Sequence, residues 1–260
     1  GSVANSIVGM SQLGDEVSFI GKVNNDELGQ KYIEGLKREN VKYFYQTKEE
    51  TTPTGTCLIL ITPDSERTMC TFLGIAGQIT DHDIDDDAVK KAEITFLEGY
   101  LWDEGEPTKA FEKALSLANK SAMSLSDPFC VDRHRIDFLN LIENYVDIIF
   151  ANEHEIKSLY QSDLIQSINS IKNNVDFGAI TLGSKGSIVF DNKAEHSIDP
   201  IFIEELVDTT GAGDLFASGF LYGLVNDKSI KECGDIGSKS AAEIIKHFGA
   251  RPKTSLKTIL

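Results

Sequence analysis

The chain has 260 residues, four cysteines and a formal net charge of −16. That length can bury one sizeable α/β core. The acidic balance argues against nucleic acid and anionic membrane surfaces as partners. No apolar run approaches the roughly 18 residues of a membrane span, and no secretory signal is visible.

Gly1-Ser2-Val3-Ala4-Asn5-Ser6 reads as a turn into a helix that Ser2 can cap, with Ala4, Ile7, Val8, Met10 and Leu13 on its apolar face. An α/β domain ordinarily opens on a strand, so a first strand is expected upstream of this numbering. Gly14-Asp15 ends the helix, Val17 to Val23 predicts a strand, and Asp26 caps a helix with Leu28, Tyr32, Ile33 and Leu36 on one face. Val41 to Gln46 and Thr54 to Pro63 read as a hairpin, with Arg67 to Leu73 as a third strand. Asp81 to Ala92 is an acidic helix pattern, Ile94 to Leu101 a strand and Pro107 to Ala122 a helix. Met123 to Leu125 reads as a short strand, Ile136 to Tyr145 as a helix and Val146 to Phe150 as a buried strand. After an amphipathic helix through Leu164, Ile168 and Ile171, Phe177 to Thr181 is a strand that turns back through Gly183 and Gly186 into Ile188 to Phe190. Ile201 to Val207 leads, as a strand, to a glycine turn, and Ile230 to Phe248 is the last long helix. This alternation argues a mostly parallel sheet covered on both faces, with ligands at the C-terminal strand ends.

Cys57, Cys70, Cys130 and Cys233 form no C-x-x-C and read as buried thiols of a reducing cytoplasm. The histidines show no metal-ligand spacing, and His82, His134 and His196 read as surface residues.

Two stretches carry chemistry. In Asn152-Glu153-His154-Glu155, an Asn and a Glu at i, i+3 share a face. That is the spacing of a capping box, which spacing alone favours, or of a pair that holds Mg²⁺ through water. In Val207-Asp208-Thr209-Thr210-Gly211-Ala212-Gly213-Asp214, a small-residue turn runs into a helix start. Gly211, Ala212 and Gly213 leave the backbone bare where helix-end amides and the macrodipole favour an anion. Asp214 adds a carboxylate beside that anion, which suits a base that takes a proton from an attacking alcohol during phosphoryl transfer. A plain glycine turn with a capping Asp is the other reading. A dinucleotide fingerprint would need glycine at 216, where Phe216 stands, and no P-loop motif occurs.

The string D-T-T-G-A-G-D with F-x-x-G-F resembles the C-terminal signature of the PfkB (ribokinase-like) carbohydrate and nucleoside kinases. The likeness extends over the whole chain: the opening resembles G-G-S-x-x-N without its first glycine, Gly21 to Gly29 resembles G-x-x-G-x-D-x-x-G, and Asn152 to Glu155 matches N-x-x-E. The resemblance implies a three-layer α/β/α core of residues 1–40 and 75–260, with a small β lid at 41–74. It implies ATP and Mg²⁺, a monovalent cation such as K⁺ near 208–210, and Asp214 as base. The bend of Gly211, Ala212 and Gly213 would hold the moving phosphoryl group, and Arg67, where the lid returns to the core, would pair with it or be solvated. Gly1, Ser2 and Asn5 would bind the acceptor. Asn152 and Glu155 would organise Mg²⁺ through water, reversing the preference from spacing. Thr181, Gly183 and Gly186 would pass the ATP phosphates beside Asn152, Gly211 and Gly213.

Several segments look most like adenosine kinases: Pro53 to Cys57, Glu66 to Thr68, Leu125 to Phe129 and Tyr145 to Glu153. Adenosine is therefore the implied acceptor, a sugar such as ribose or fructose the alternative, and a non-catalytic nucleoside-binding protein a third. Tyr100, Phe72 and Leu101 could flank an adenine or belong to the core. A lid can close over its own subunit or clasp that of a second copy, and Tyr43, Leu58 and Leu60 suit either a monomer or a homodimer.

Overall fold

The computed structural model describes residues 1–62, 67–102 and 105–260, with the backbone alone at Arg67. In chain order the elements are α1 (Ser2–Leu13), β1 (Ser18–Phe19), α2 (Glu27–Arg38), β2 (Lys42–Tyr43), β3 (Thr54–Ile61), β4 (Arg67–Gly74), α3 (Asp86–Lys91), β5 (Thr95–Glu98) and α4 (Glu106–Leu117). Then come β6 (Ser121–Ser124), α5 (Pro128–Asn144), β7 (Ile148–Asn152), α6 (Glu153–Tyr160), α7 (Leu164–Ile171), β8 (Phe177–Thr181), β9 (Ser187–Asp191), β10 (Glu195–Ile198), α8 (Ala212–Val225) and α9 (Ile230–Ile244).

The central sheet runs β10-β9-β8-β7-β6-β5. β5 to β8 are parallel, and β9 and β10 are antiparallel additions. Strand periodicity sends alternate side chains to opposite faces. Ile149 and Ala151 of β7 accordingly join one core with residues of α4 to α7. Ile148 and Phe150 join the other with residues of α1, α8 and α9. Both faces are covered, which gives the three-layer α/β/α architecture. Gly178 of β8 is required by this packing: a Cβ there would lie 2.1 Å from the Phe190 ring, its register partner on β9.

α8 is apolar over most of its surface because it lies between α1 and α9. A Cβ on Gly219 would meet the Ile236 carbonyl at 2.6 Å, and one on Gly237 would meet the Phe216 carbonyl at 2.9 Å. The small residues of α9 thus admit a neighbouring helix.

Several expectations are corrected. Lys42–Tyr43 does not pair with β3; it pairs in parallel with β1, which shortens the expected 17–23 strand to two residues. The hairpin is instead β3 with β4, a two-stranded sheet of its own. Its root is fixed by Asp26, which caps α2 through Gly29 N–H and also accepts from Thr54 N–H and Oγ1. Tyr43 is not on the hairpin: it stacks on Phe19 and donates to the Gly21 carbonyl. Residues 201–207 form no strand; Val207 and Asp208 donate instead to the Ile245 carbonyl. The acidic segment divides into a 3₁₀ turn at Asp81–Asp83 and α3. Cys130 and Cys233 are buried, but Cys57 and Cys70 are exposed on the hairpin. His82 is exposed, whereas His134 and His196 are half-buried. Among the described residues no helix is long and apolar enough to cross a membrane.

Candidate active site

Asp214 stands in the first turn of α8, and Asn5 in the second turn of α1. The Asn5 side-chain N–H donates to Asp214 Oδ2 at 2.8 Å. Ser2 does not cap its helix, whose cap position is Gly1. Its hydroxyl is taken up by Glu98, to which it donates. Glu98 ends β5 and is 6% exposed. Burial, and then the nearby Asp214 charge, push its carboxyl up to about 8, against the opposing bond from Ser2. Glu98 is the residue the sequence reading missed; its one signal is a lone acid closing an apolar strand.

The bend before α8 needs glycine once for conformation. Gly211 has φ +86°, and a Cβ there would lie 2.9 Å from Ala250 Cβ. Gly213 is different: it opens the helix, and a Cβ there would meet nothing within 4 Å. Among the described residues, nothing fills the space immediately over Gly213. The Ala212 amide does not face it unengaged, because it donates to the Thr209 carbonyl at 3.2 Å. Helix geometry supplies no intrahelical acceptor for the Gly213 amide in this first turn. Beneath the bend, the buried Asp208 carboxylate accepts from Thr210 N–H at 2.8 Å and Gly249 N–H at 3.0 Å. The Thr210 hydroxyl is buried with no hydrogen-bond partner among the described residues.

A second group lies further along the same sheet edge. Asn152 and Thr181 are register partners at the C-terminal ends of β7 and β8. Asn152 and Glu155 form a complete capping box. Asn152 Oδ1 accepts from Glu155 N–H at 2.9 Å, and Asn152 N–H donates to Glu155 Oε2 at 2.8 Å. Burial pushes the Glu155 carboxyl up to about 7. Among the described residues no group of three or more His, Cys, Asp or Glu is disposed to hold a metal ion. Gly183 is exposed at φ +61° with open space around it, whereas a Cβ on Gly186 would lie 2.0 Å from the Ile198 carbonyl. Gly186 is thus required by the hairpin itself.

Tyr100 follows Glu98 by two residues, and its amide and phenol donate to the Ser126 hydroxyl and carbonyl, each at 3.1 Å. Its phenol is raised by burial and then by the charges of Asp127, Glu98 and Glu155. Tyr100 and Phe72 are 43% and 52% exposed, so neither is core; Leu101 packs against the core. The Arg67 side chain and Glu66 lie outside the described residues.

A mostly parallel sheet between helix layers, with a carboxylate on a bare helix start at its C-terminal edge, defines a ribokinase-like enzyme. Residues 1–257 match the model of the pfkB family of carbohydrate kinases, and the chain belongs to that family. A probable sugar kinase from Rhizobium etli is 38% identical, with 100% of this chain covering 80% of that one at a TM-score of 0.96. An adenosine kinase from Sinorhizobium meliloti is 35% identical over 100% of this chain and 81% of that one, with a TM-score of 0.97. An uncharacterized sugar kinase of Archaeoglobus fulgidus is 29% identical over 94% of this chain and 97% of its own length.

Proposed function

We propose that the chain transfers the γ-phosphoryl group of ATP to the 5′-hydroxyl of adenosine, giving AMP and ADP. The observation that carries the reading is the Asn5–Asp214 bond beside the unfilled space over Gly213. A carboxylate held there meets the attacking hydroxyl, and the helix-start amides meet the charge that develops on the phosphoryl oxygens. Asp214 takes the proton, and the oxygen then attacks phosphorus as the bond to ADP breaks. Asn5, Ser2, Glu98 and the Gly1 backbone form a polar floor suited to ribose hydroxyls. Thr181, Gly183 and Gly186 lie along the path of the ATP phosphates.

Asn152 and Glu155 fit a cation held through water. Each Glu155 oxygen already accepts one N–H from Asn152 and keeps a further lone pair. A buried carboxyl with a raised pKa also gains from a nearby positive charge. Mg²⁺ there would supply neutralisation of phosphate charge. The orphaned Thr210 hydroxyl fits a monovalent cation in the 208–210 loop. The β3–β4 hairpin acts as the lid; Arg67 pairs with Ile61 at the end of the hairpin away from its Thr54–Gly74 root, which corrects the expectation that it marks the lid's return to the core. The apolar side chains that the hairpin exposes, Leu58 and Leu60 among them, suit closure over the same chain or pairing with a second copy. Four free cysteines support a reducing compartment, the cytoplasm.

Adenosine is favoured by the half-exposed Tyr100 and Phe72 and by the likeness to the Sinorhizobium enzyme. A sugar acceptor is the second reading, supported by the Rhizobium and Archaeoglobus relatives. ADP release measured against adenosine, ribose and fructose separates them. Turnover of sugars without adenosine would remove the first reading. Asp214→Asn is expected to lower kcat by about 10²–10⁴; near-normal turnover would remove the mechanism.

A further inference from the structure

The bond between Asn5 and Asp214 joins two helices whose relative height must be fixed for it to form. Both residues lie near the starts of their helices, α1 and α8. One turn further along α8, Ser218 bonds across to α1.

Ser218 is fully buried. A serine inside a helix ordinarily turns its hydroxyl back to the carbonyl four residues earlier. Here that carbonyl belongs to Asp214, at 3.0 Å, but a shorter contact of 2.6 Å crosses to the Ser6 carbonyl on α1. Ser6 adjoins Asn5, so one hydroxyl touches the backbone of Asp214 and the residue beside its partner. Gly9 completes the contact: a Cβ there would stand 2.4 Å from Ser218 Oγ and 2.7 Å from Leu215 Cδ1. At Gly9, α1 therefore contributes no side chain and rests directly on the Leu215 and Ser218 side chains of α8, with the Ser218 hydroxyl the polar key in the contact.

We infer that Ser218 is a positioning residue, which sets the height of α1 on α8 and thereby holds Asn5 against Asp214. The inference rests on Asp214 acting as the base. In energy the hydroxyl contributes no more than an ordinary buried hydrogen bond. Its effect on rate is larger, because reacting groups misplaced by a fraction of an ångström lose turnover steeply.

The test is a double-mutant cycle read in kcat. Ser218→Ala keeps the volume and removes the donor; kcat is expected to fall about tenfold, with the KM for ATP unchanged. In an Asn5→Ala background the same substitution is expected to add nothing, because the pair it positions is gone. A merely structural serine would lower the melting temperature equally in both backgrounds and leave the two kcat losses multiplicative. Multiplicative losses, or a Ser218→Ala kcat within about twofold of the parent, overturn the inference. Gly9→Ala, which wedges the helices apart by a different route, is expected to reproduce the kcat defect; normal turnover in that variant also counts against it. If Ser218→Ala does not fold, Ser218→Cys, which weakens the donor, carries the cycle. Retained activity in Asp214→Asn would instead remove the underlying reading, whatever Ser218 does.

Discussion

Asn5 and Asp214 lie 209 positions apart in sequence and meet through one 2.8 Å hydrogen bond. The bond gives the carboxylate a fixed direction before any ligand arrives. Replacing Asn5 by alanine removes that support, and replacing it by aspartate sets a like charge against the carboxylate. Two such charges about 4 Å apart repel by about 4 kcal/mol at an effective dielectric of about 20. Asn5→Asp is therefore expected to lose more kcat than Asn5→Ala; equal losses in steady-state assays would show that the contact has no electrostatic role.

Glu98 and Glu155 give the fold a pH dependence with a definite sign. Both carboxyls are raised above their ordinary value of 4.5, to about 8 and about 7. Between 4.5 and those values the folded chain keeps protons that the unfolded chain releases. Stability from these groups is thus complete below pH 4.5 and falls as pH rises toward 8. Melting temperatures at pH 5 and pH 8 should differ less in Glu98→Gln than in the parent. An unchanged difference would show that Glu98 does not titrate in this range.

Gly183 and Gly186 bound one short turn but make opposite predictions. Gly186→Ala meets the Ile198 carbonyl and a φ of +87°, so its effect should be a large fall in melting temperature. Gly183→Ala faces open space at φ +61° and bears only the conformational cost, about 1 kcal/mol. If ATP phosphates cross this turn, Gly183→Ala raises the KM for ATP while the protein stays folded. An unchanged KM would move the phosphate path elsewhere.

Asn152 separates a cap from a cation site. As a cap alone, its replacement by alanine costs about 1 kcal/mol of stability. Should it also organise Mg²⁺, Asn152→Ala raises the Mg²⁺ concentration needed for half-maximal rate, and Glu155→Gln does the same. A melting shift with no change in Mg²⁺ requirement would reduce the pair to a helix cap.

Local patterns were legible in the sequence where one short stretch carries the whole geometry. The bend at Gly211 to Asp214 and the turn at Gly183 to Gly186 are of this kind. Non-local pairing was not: nothing in Lys42–Tyr43 distinguishes β3 from β1 as its partner, because strand propensity does not name the neighbour. Residues 201–207 look like a strand because they are apolar, yet Ile201, Phe202 and Leu206 are exposed and no ladder forms. Glu98 stayed hidden because a single acid has no spacing, and its role comes only from Ser2 and Asp214 folding against it. Asn152 and Glu155 were open to two readings, and the capping bonds are now visible without excluding the other.

α1, α5, α6 and α8 all begin near the edge where β5 to β8 finish, in a chain whose net charge is −16. Each contributes roughly half a positive charge at its start, felt only within a turn or so. An anionic nucleotide therefore meets repulsion from afar and welcome at short range. Dissolved salt mutes the distant field, whose reach is about 10 Å at 0.1 M, far more than the close one. Encounter should quicken as ionic strength climbs, while departure of the seated molecule changes little.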